Sequence, residues 1–240
     1  MNKVCVITGC GKGLGLELCK QAIQRGYCVI AMTYPMTEAV LNLAKEYPRL
    51  IFPYEVDVTD QAAIDACKAE VFNKFKSIDL IINNAGIWLD VERLELEDEN
   101  FDTEMCYKEF DVNAMGALRI TRAFIPQLRK SQAETRALVY LSSDCASYKA
   151  QNERKAEYAY CMSKACVNMI ANLINNAVTD TNIKVLSIFP GWMQTDMGYA
   201  GAKNSFPNVP PAEAAECIFT LINEPKKEYT FMDRFGAEMD

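Results

Sequence analysis

The chain has 240 residues, half of them hydrophobic, enough for one sizeable core or a small pair of them. Its net charge of −7, from 25 basic and 32 acidic residues, argues against nonspecific binding to nucleic acid and against docking on an anionic membrane surface. It contains no histidine, which excludes histidine triads, histidine-ligated zinc and a histidine acid–base; no metal site is expected. No apolar stretch approaches the ~18 residues that span a bilayer. The short apolar run near the N-terminus reads as a strand and not as a signal peptide. Ten cysteines are scattered without a Cys-x-x-Cys and read as reduced, buried small hydrophobes, which places the chain in the cytoplasm.

In chain order, a strand at 3–8 runs into the turn Thr8-Gly9-Cys10-Gly11-Lys12-Gly13-Leu14-Gly15 and a helix over 14–25. Strand 28–32, helix 37–47, strand 50–56, helix 60–74 and strand 80–83 follow. A stretch of helical period then covers about 100–130, before strand 138–142, helix 155–178, strand 184–189, helix 211–222 and a weak strand at 229–232. Alternating helices and continuous apolar strands imply an α/β fold: a parallel sheet of about seven strands, doubly wound, with helices on both faces. Right-handed crossovers wind the two halves outward from the first strand. No linker or composition shift divides the chain, so residues 1–240 read as a single domain. The acidic stretch 92–104 reads as a solvated face. The Gly- and Pro-rich segment 191–211, with Trp192, Met193, Met197, Tyr199 and Phe206, reads as a lid over an apolar site.

Several residues stand where chemistry is done. A glycine-rich turn between strand and helix lets backbone approach a pyrophosphate, and the helix N-terminus presents free N–H groups to it. Tyr160 and Lys164 lie four apart on one helix, so phenol and ammonium share a face, and the ammonium is expected to lower the phenol's pKa. Tyr158 is a rival tyrosine, but four residues on it meets Met162. Tyr140-Leu-Ser-Ser143 ends a strand, where hydroxyls either face a ligand crevice or merely close a turn. Asn83-Asn84-Ala85-Gly86 makes a small close-approach turn. Asn113 and Gly116 both cost propensity inside a helix, a sign of function or of a tight helix crossing.

Taken in order, these motifs resemble the short-chain dehydrogenase/reductase family across essentially the whole chain. They are Thr8–Gly15 as T-G-x-x-x-G-x-G, Asp57-Val58, Asn83–Gly86, Asn113, the serine pair, Tyr160-x-x-x-Lys164 and Pro190-Gly191. The run Phe-Pro-Gly-Trp-Met-Gln-Thr-Asp-Met and the tail Phe231-Met-Asp-Arg-Phe-Gly are similar to the branch that contains the sniffer-type carbonyl reductases and the bacterial C-factor proteins.

The resemblance implies roles. Tyr160 is the expected general acid, Lys164 the group that tunes it and holds the nicotinamide ribose, Ser143 the group that positions the substrate oxygen, and Asn113 the anchor of a proton relay. Gly9, Lys12, Gly13, Leu14, Gly15, Thr33, Asp57, Val58, Asn84, Ala85 and Gly86 are expected to bind the dinucleotide. Tyr160, Lys164, Pro190, Gly191, Met193 and Thr195 complete that set. Ser143 and Tyr160 are 17 residues apart, longer than is usual in the family, so Ser142 and Ser147 compete with Ser143 for the substrate. After the second strand stands Thr33-Tyr34-Pro35 and no acid, so with Lys12 in the glycine turn the expected cofactor is NADP, with NAD as the alternative. Trp88 and the segment 191–211 are mostly apolar and neither has an arginine, which predicts a small, hydrophobic, uncharged carbonyl or alcohol as substrate. The expected protein is thus a carbonyl reductase-like enzyme, a homodimer or homotetramer. The alternative is a dinucleotide-binding regulatory or signalling protein with little turnover.

Overall fold

Successive residues of the first strand point to opposite faces of the sheet, and both faces are dry. Cys5 and Ile7 pack into one hydrophobic cluster, Val4 and Val6 into another. That is why the strands read as unbroken apolar runs. A computed structural model describes residues 3–149, 154–202, 204–225 and 229–239. Its seven strands are β1 (Lys3–Thr8), β2 (Tyr27–Thr33), β3 (Ile51–Glu55), β4 (Leu80–Asn83), β5 (Arg136–Leu141), β6 (Ile183–Phe189) and β7 (Phe231–Asp233). They form one parallel sheet in the order β3-β2-β1-β4-β5-β6-β7. The order reverses between β1 and β4, and a crevice opens beyond the carboxyl ends of the strands there.

Helices α1 (Gly13–Gln24), α2 (Glu38–Glu46) and α8 (Pro211–Asn223) cover the Cys5–Ile7 face. Helices α3 (Gln61–Lys74), α5 (Gly116–Lys130) and α6 (Tyr158–Ala177) cover the other. Local chemistry sets their starts. The Thr37 hydroxyl accepts from Val40 N to cap α2, and Asp60 accepts from Ala62 N and Ala63 N to cap α3. Pro211 opens α8, where its missing N–H costs nothing. None of the helices formed by the described residues is long and apolar enough to cross a membrane.

The predicted stretch 100–130 is not one helix. It divides into α4 (Glu104–Glu109), a π-helical turn (Phe110–Met115) and α5. Both residues that cost propensity there have a structural reason. Asn113 lies within the wider π turn, and a Cβ on Gly116 would sit 2.6 Å from Val58 Cγ2, so the start of α5 meets the turn between β3 and α3 too closely for any side chain. The predicted helix at 155–178 begins only at Tyr158, because Glu157 is left-handed at φ 66°. Part of the polar insert before it, residues 150–153, lies outside the described residues. A short helix, α7 (Asp196–Ala200), interrupts the predicted lid. All ten cysteines are free.

At the opposite, amino edge of the sheet, the buried Asp79 accepts from Val4 N at 2.7 Å and from the Ser131 hydroxyl, joining β1, β4 and the end of α5. Asp79→Ala strands both donors, and is expected to cost about 2–4 kcal/mol. The midpoint of urea unfolding checks this, with the carboxyl-edge crevice unaffected.

Candidate active site

A cavity of about 960 Å³ lies at the carboxyl ends of the strands, on the switch point between β1 and β4. Its first wall is the glycine turn. Thr8 Oγ1 accepts from Asn84 N (3.1 Å) and Ala85 N (3.0 Å), while Asn84 Nδ2 donates to the carbonyls of Thr8 (2.9 Å) and Gly9 (3.2 Å). The two strand ends are therefore stitched together. Gly15 permits this packing, since a Cβ there would lie 2.0 Å from Gly9 O. The N-cap of α1 is Lys12, whose side chain has no acceptor, so no side chain caps that helix start. An anion placed there would supply the acceptors that the first N–H groups of α1 lack.

The opposite wall is the first half of α6. Tyr160 and Lys164 both line the cavity, and Lys164 is buried with Nζ donating to Leu141 O at 2.9 Å. Ser143, just past the end of β5, lines the same cavity; its hydroxyl donates to Asp144 Oδ1 and accepts from Cys145 N. The Trp88 ring lies against Tyr160, with centroids 5.5 Å apart and planes at 31°. Asn113 does not line the cavity. It stands behind Gly86, with Oδ1 accepting from Ile87 N and Nδ2 donating to Ile87 O and Ser163 Oγ. Ser163 in turn donates to Tyr160 O at 2.8 Å. The π turn is thus bonded to the backbone of α6 through Ser163, a residue the sequence reading passed over although it sits inside the Tyr160–Lys164 motif. Tyr158 is outside the cavity, edge-on to Phe101.

The serine alternatives separate. Ser142 and Ser143 line the cavity, and the Ser142 hydroxyl is buried without a hydrogen-bond partner there. Ser147 turns away, donating to Met239 O. Gly9, Gly13, Leu14, Thr33, Ala85, Pro190, Gly191, Met193 and Thr195 line the cavity with Lys12, Gly15, Asn84 and Gly86. Asp57 and Val58 do not: Asp57 closes its own turn by accepting from Thr59 N and Oγ1, and Val58 is buried under Gly116.

Three expectations need correction. The Tyr160 phenol is pushed well above its ordinary range, by burial first and then by nearby negative charge that includes Glu109 and Asp144. Burial also lowers Lys164 to about 8, and its Nζ stands 5.5 Å from the phenol ring centroid, so desolvation outweighs the expected help from the ammonium. Secondly, arginine is present: Arg93 and Arg154 line the cavity beside Asp144 and Glu157. Arg93 pairs with Glu157 at 3.2 Å, and Arg154 pairs with both Glu157 and Asp144, so two cations meet two carboxylates. Arg93 comes from the acidic stretch read as a solvated face, and Arg154 and Glu157 come from the polar insert before α6. Thirdly, Tyr199 and Phe206 are exposed and line nothing here, whereas Met197 does. Trp192 braces the loop itself, Nε1 donating to Gly198 O.

A model of the short chain dehydrogenase family matches residues 3–204. A benzil reductase of Saccharomyces cerevisiae that forms (S)-benzoin is 32% identical over 199 residues, 82% of this chain and 74% of that one. The C-signal protein of Myxococcus xanthus is 30% identical over 167 residues, 68% of this chain and 92% of its own. The chain belongs to the short-chain dehydrogenase/reductase family of oxidoreductases. Among solved structures, an NADPH-bound carbonyl reductase from chicken fatty liver superposes with a TM-score of 0.86 at 24% identity, covering 99% of this chain and 98% of that one. The carbonyl reductase Sniffer of Drosophila melanogaster gives 0.83 at 23% identity, covering 100% and 99%. At these identities the two superpositions speak for the fold.

Gly15→Ala forces a Cβ onto Gly9 O. The variant is expected to keep its α/β circular dichroism while its affinity for a nicotinamide dinucleotide falls on the order of 100-fold or more, in a fluorescence titration.

Proposed function

We propose that the protein reduces the carbonyl of a small, uncharged, largely apolar substrate with NADPH. The observation that carries this reading is the meeting of Ser143, Tyr160 and Lys164 at one end of a cavity whose other end is an uncapped helix start behind a glycine turn. The benzil reductase relative supports it. The dinucleotide fits the residues present: the α1 N-terminus and the backbone of residues 11–14 would take the pyrophosphate, Lys164 the nicotinamide ribose, and Thr195 with Pro190-Gly191 the carboxamide end. The bound cofactor supplies the hydride.

The chain's own residues supply orientation and a proton. Ser143 holds the substrate oxygen and meets the charge growing on it. Tyr160 donates the proton to that oxygen, and a phenol that holds its proton firmly before reaction suits an acid in the reductive direction. Lys164, already bonded to Leu141 O, steadies the site from below. Asn113 keeps the π turn and α6 in register through Ser163. The paired Arg93, Arg154, Asp144 and Glu157 leave no unbalanced charge at the substrate end, which favours a neutral substrate over an acid.

NADP is the preferred cofactor in this reading. No acidic residue follows β2 to repel a 2′-phosphate, and Thr33 Oγ1 and Lys12 both line that corner. Lys12 pairs with Asp196 at 2.6 Å, but both side chains are largely exposed, so the pair gives way to a doubly charged phosphate at little cost. In this reading the 191–211 segment serves as a lid over the cofactor corner, which the Lys12–Asp196 contact and the packing of Thr195 against Gly13 support. Its base is stitched, since Asn208 N and Val209 N both donate to Trp192 O.

Tyr160→Phe removes only the transferable proton and is expected to lower kcat by ~10²–10⁴-fold in NADPH oxidation with a vicinal diketone. Ser143→Ala behaves likewise, and Ser147→Ala stays within about 2-fold of wild type, because a hydroxyl outside the cavity supplies no transition-state contact. Full turnover in Tyr160→Phe would overturn the proposal. Dinucleotide binding without any reduction by wild type would instead favour the regulatory alternative. Lys12→Ala is expected to weaken NADPH about 10-fold and NADH hardly at all, a loss of about 1.4 kcal/mol. Equal losses for both cofactors would refute the phosphate assignment.

A further inference from the structure

Two carboxyl groups outside the proposed chemistry lie directly behind Tyr160. Helix α6 cannot cap itself, because its N-cap Glu157 is left-handed and makes no side-chain cap. Asp90, from the segment after β4, caps it instead: Oδ2 accepts from Ala159 N at 3.0 Å and from Tyr160 N at 3.4 Å. Glu109, the last residue of α4, grips that same segment, with Oε1 accepting from Leu89 N and from Asp90 N. Asp90 is 6% exposed and Glu109 is 0% exposed. The remaining oxygen of each, Asp90 Oδ1 and Glu109 Oε2, is buried with no hydrogen-bond partner.

Two adjacent buried carboxylates repel, and each stranded oxygen forfeits a bond that water would have supplied. A single proton removes both difficulties. We propose that Asp90 and Glu109 are positioning residues that share one proton, carried on Glu109 Oε2 and donated to Asp90 Oδ1, and so fix the first turn of α6 and Tyr160 against the cavity. Asp90 keeps the greater share of negative charge, because two N–H groups and the helix N-terminus face it. Burial, with the charge of Asp90 as a lesser cause, pushes the Glu109 carboxyl up to about 7. Burial raises Asp90 as well. The other ionisable groups facing the pair are Lys164, Glu157 and Cys161 at α6, Tyr160 itself, and Cys106 on α4. Lys164 is the cation among them and favours ionisation of Glu109; the rest oppose further negative charge.

The consequence is a pH-dependent hold on the proposed acid. Glu109 keeps its proton in the folded protein to about pH 7 but loses it near ~4.3 when unfolded, so its contribution to stability declines as pH rises through that window. Above it the pair repels and the α6 cap loosens.

The inference rests on the reading of Tyr160 as the acid, and its test has an arm that does not. Glu109→Gln replaces the shared O–H by a permanent N–H donor. Its melting temperature, relative to wild type, is expected to climb by about 3 °C or more between pH 5 and pH 8, because only wild type loses a bond there. In kcat against pH, the alkaline limb of wild type is expected near 7, and Glu109→Gln moves it away from there, because the group that titrates at that pH is gone. Asp90→Ala is expected to lower kcat on the order of 10-fold with KM for NADPH within about 2-fold, since it loosens the acid without touching the cofactor corner. A melting difference that is flat with pH, or an alkaline limb that Glu109→Gln leaves in place, overturns the shared proton. If wild type reduces no carbonyl at all, the functional reading fails, and the melting difference still decides the pair.

Discussion

Everything at this site hangs on the tie between Thr8 and Asn84. One hydroxyl accepts two backbone N–H groups and one amide donates to two carbonyls, so the ends of β1 and β4 are held at hydrogen-bond distance across the switch point. Satisfying four backbone groups in so little space leaves no room for side chains, and Gly15 is the result. The start of α1 is thereby aimed into the crevice with its N–H groups unspent. A cofactor corner follows from a packing requirement.

The other wall is built on a different plan. The tyrosine and lysine of α6 are placed by residues far away in sequence: Asp90 caps the helix, Ser163 joins it to Asn113 on the π turn, and Leu141 O at the end of β5 receives Lys164. Several elements must fold before this helix has a proper start. The pairing of Arg93 and Arg154 with Glu157 and Asp144 closes the rim around it, so charge at the substrate end is spent internally. Burial then sets the protonation states, keeping the phenol neutral and bringing the lysine down toward 8.

The architecture was legible because strands buried on both faces are written as uninterrupted apolar runs, and β1 and β4 fall on the residues those runs mark. The glycine turn and the tyrosine–lysine pair were legible for the same local reason: each is a short pattern whose geometry follows from its own spacing. What escaped was whatever depends on distant partners. No local pattern says that Asp90 would cap a helix 69 residues on, that arginines from an acidic stretch and a polar insert would meet at the cavity, or that Ser147 would turn toward Met239. The direction of the phenol's shift was misjudged for a related reason, since spacing reveals the neighbouring ammonium but not the depth of burial. Gly116 was flagged by cost alone and Asn113 by cost and by the family resemblance, and the structure supplies two separate causes, a hydrogen-bond lattice for Asn113 and a close helix approach for Gly116.

The claim at the centre of this account is that the crevice between the glycine turn and α6 seats a nicotinamide dinucleotide with its reactive ring at Tyr160. A crystal structure of the protein grown with NADP⁺ tests it most directly. The account predicts phosphates at the backbone of residues 11–14, the 2′-phosphate beside Lys12 and Thr33, and the nicotinamide C4 facing the Tyr160 hydroxyl. A dinucleotide bound elsewhere, or bound here with its nicotinamide turned away from Tyr160 and Ser143, would contradict it.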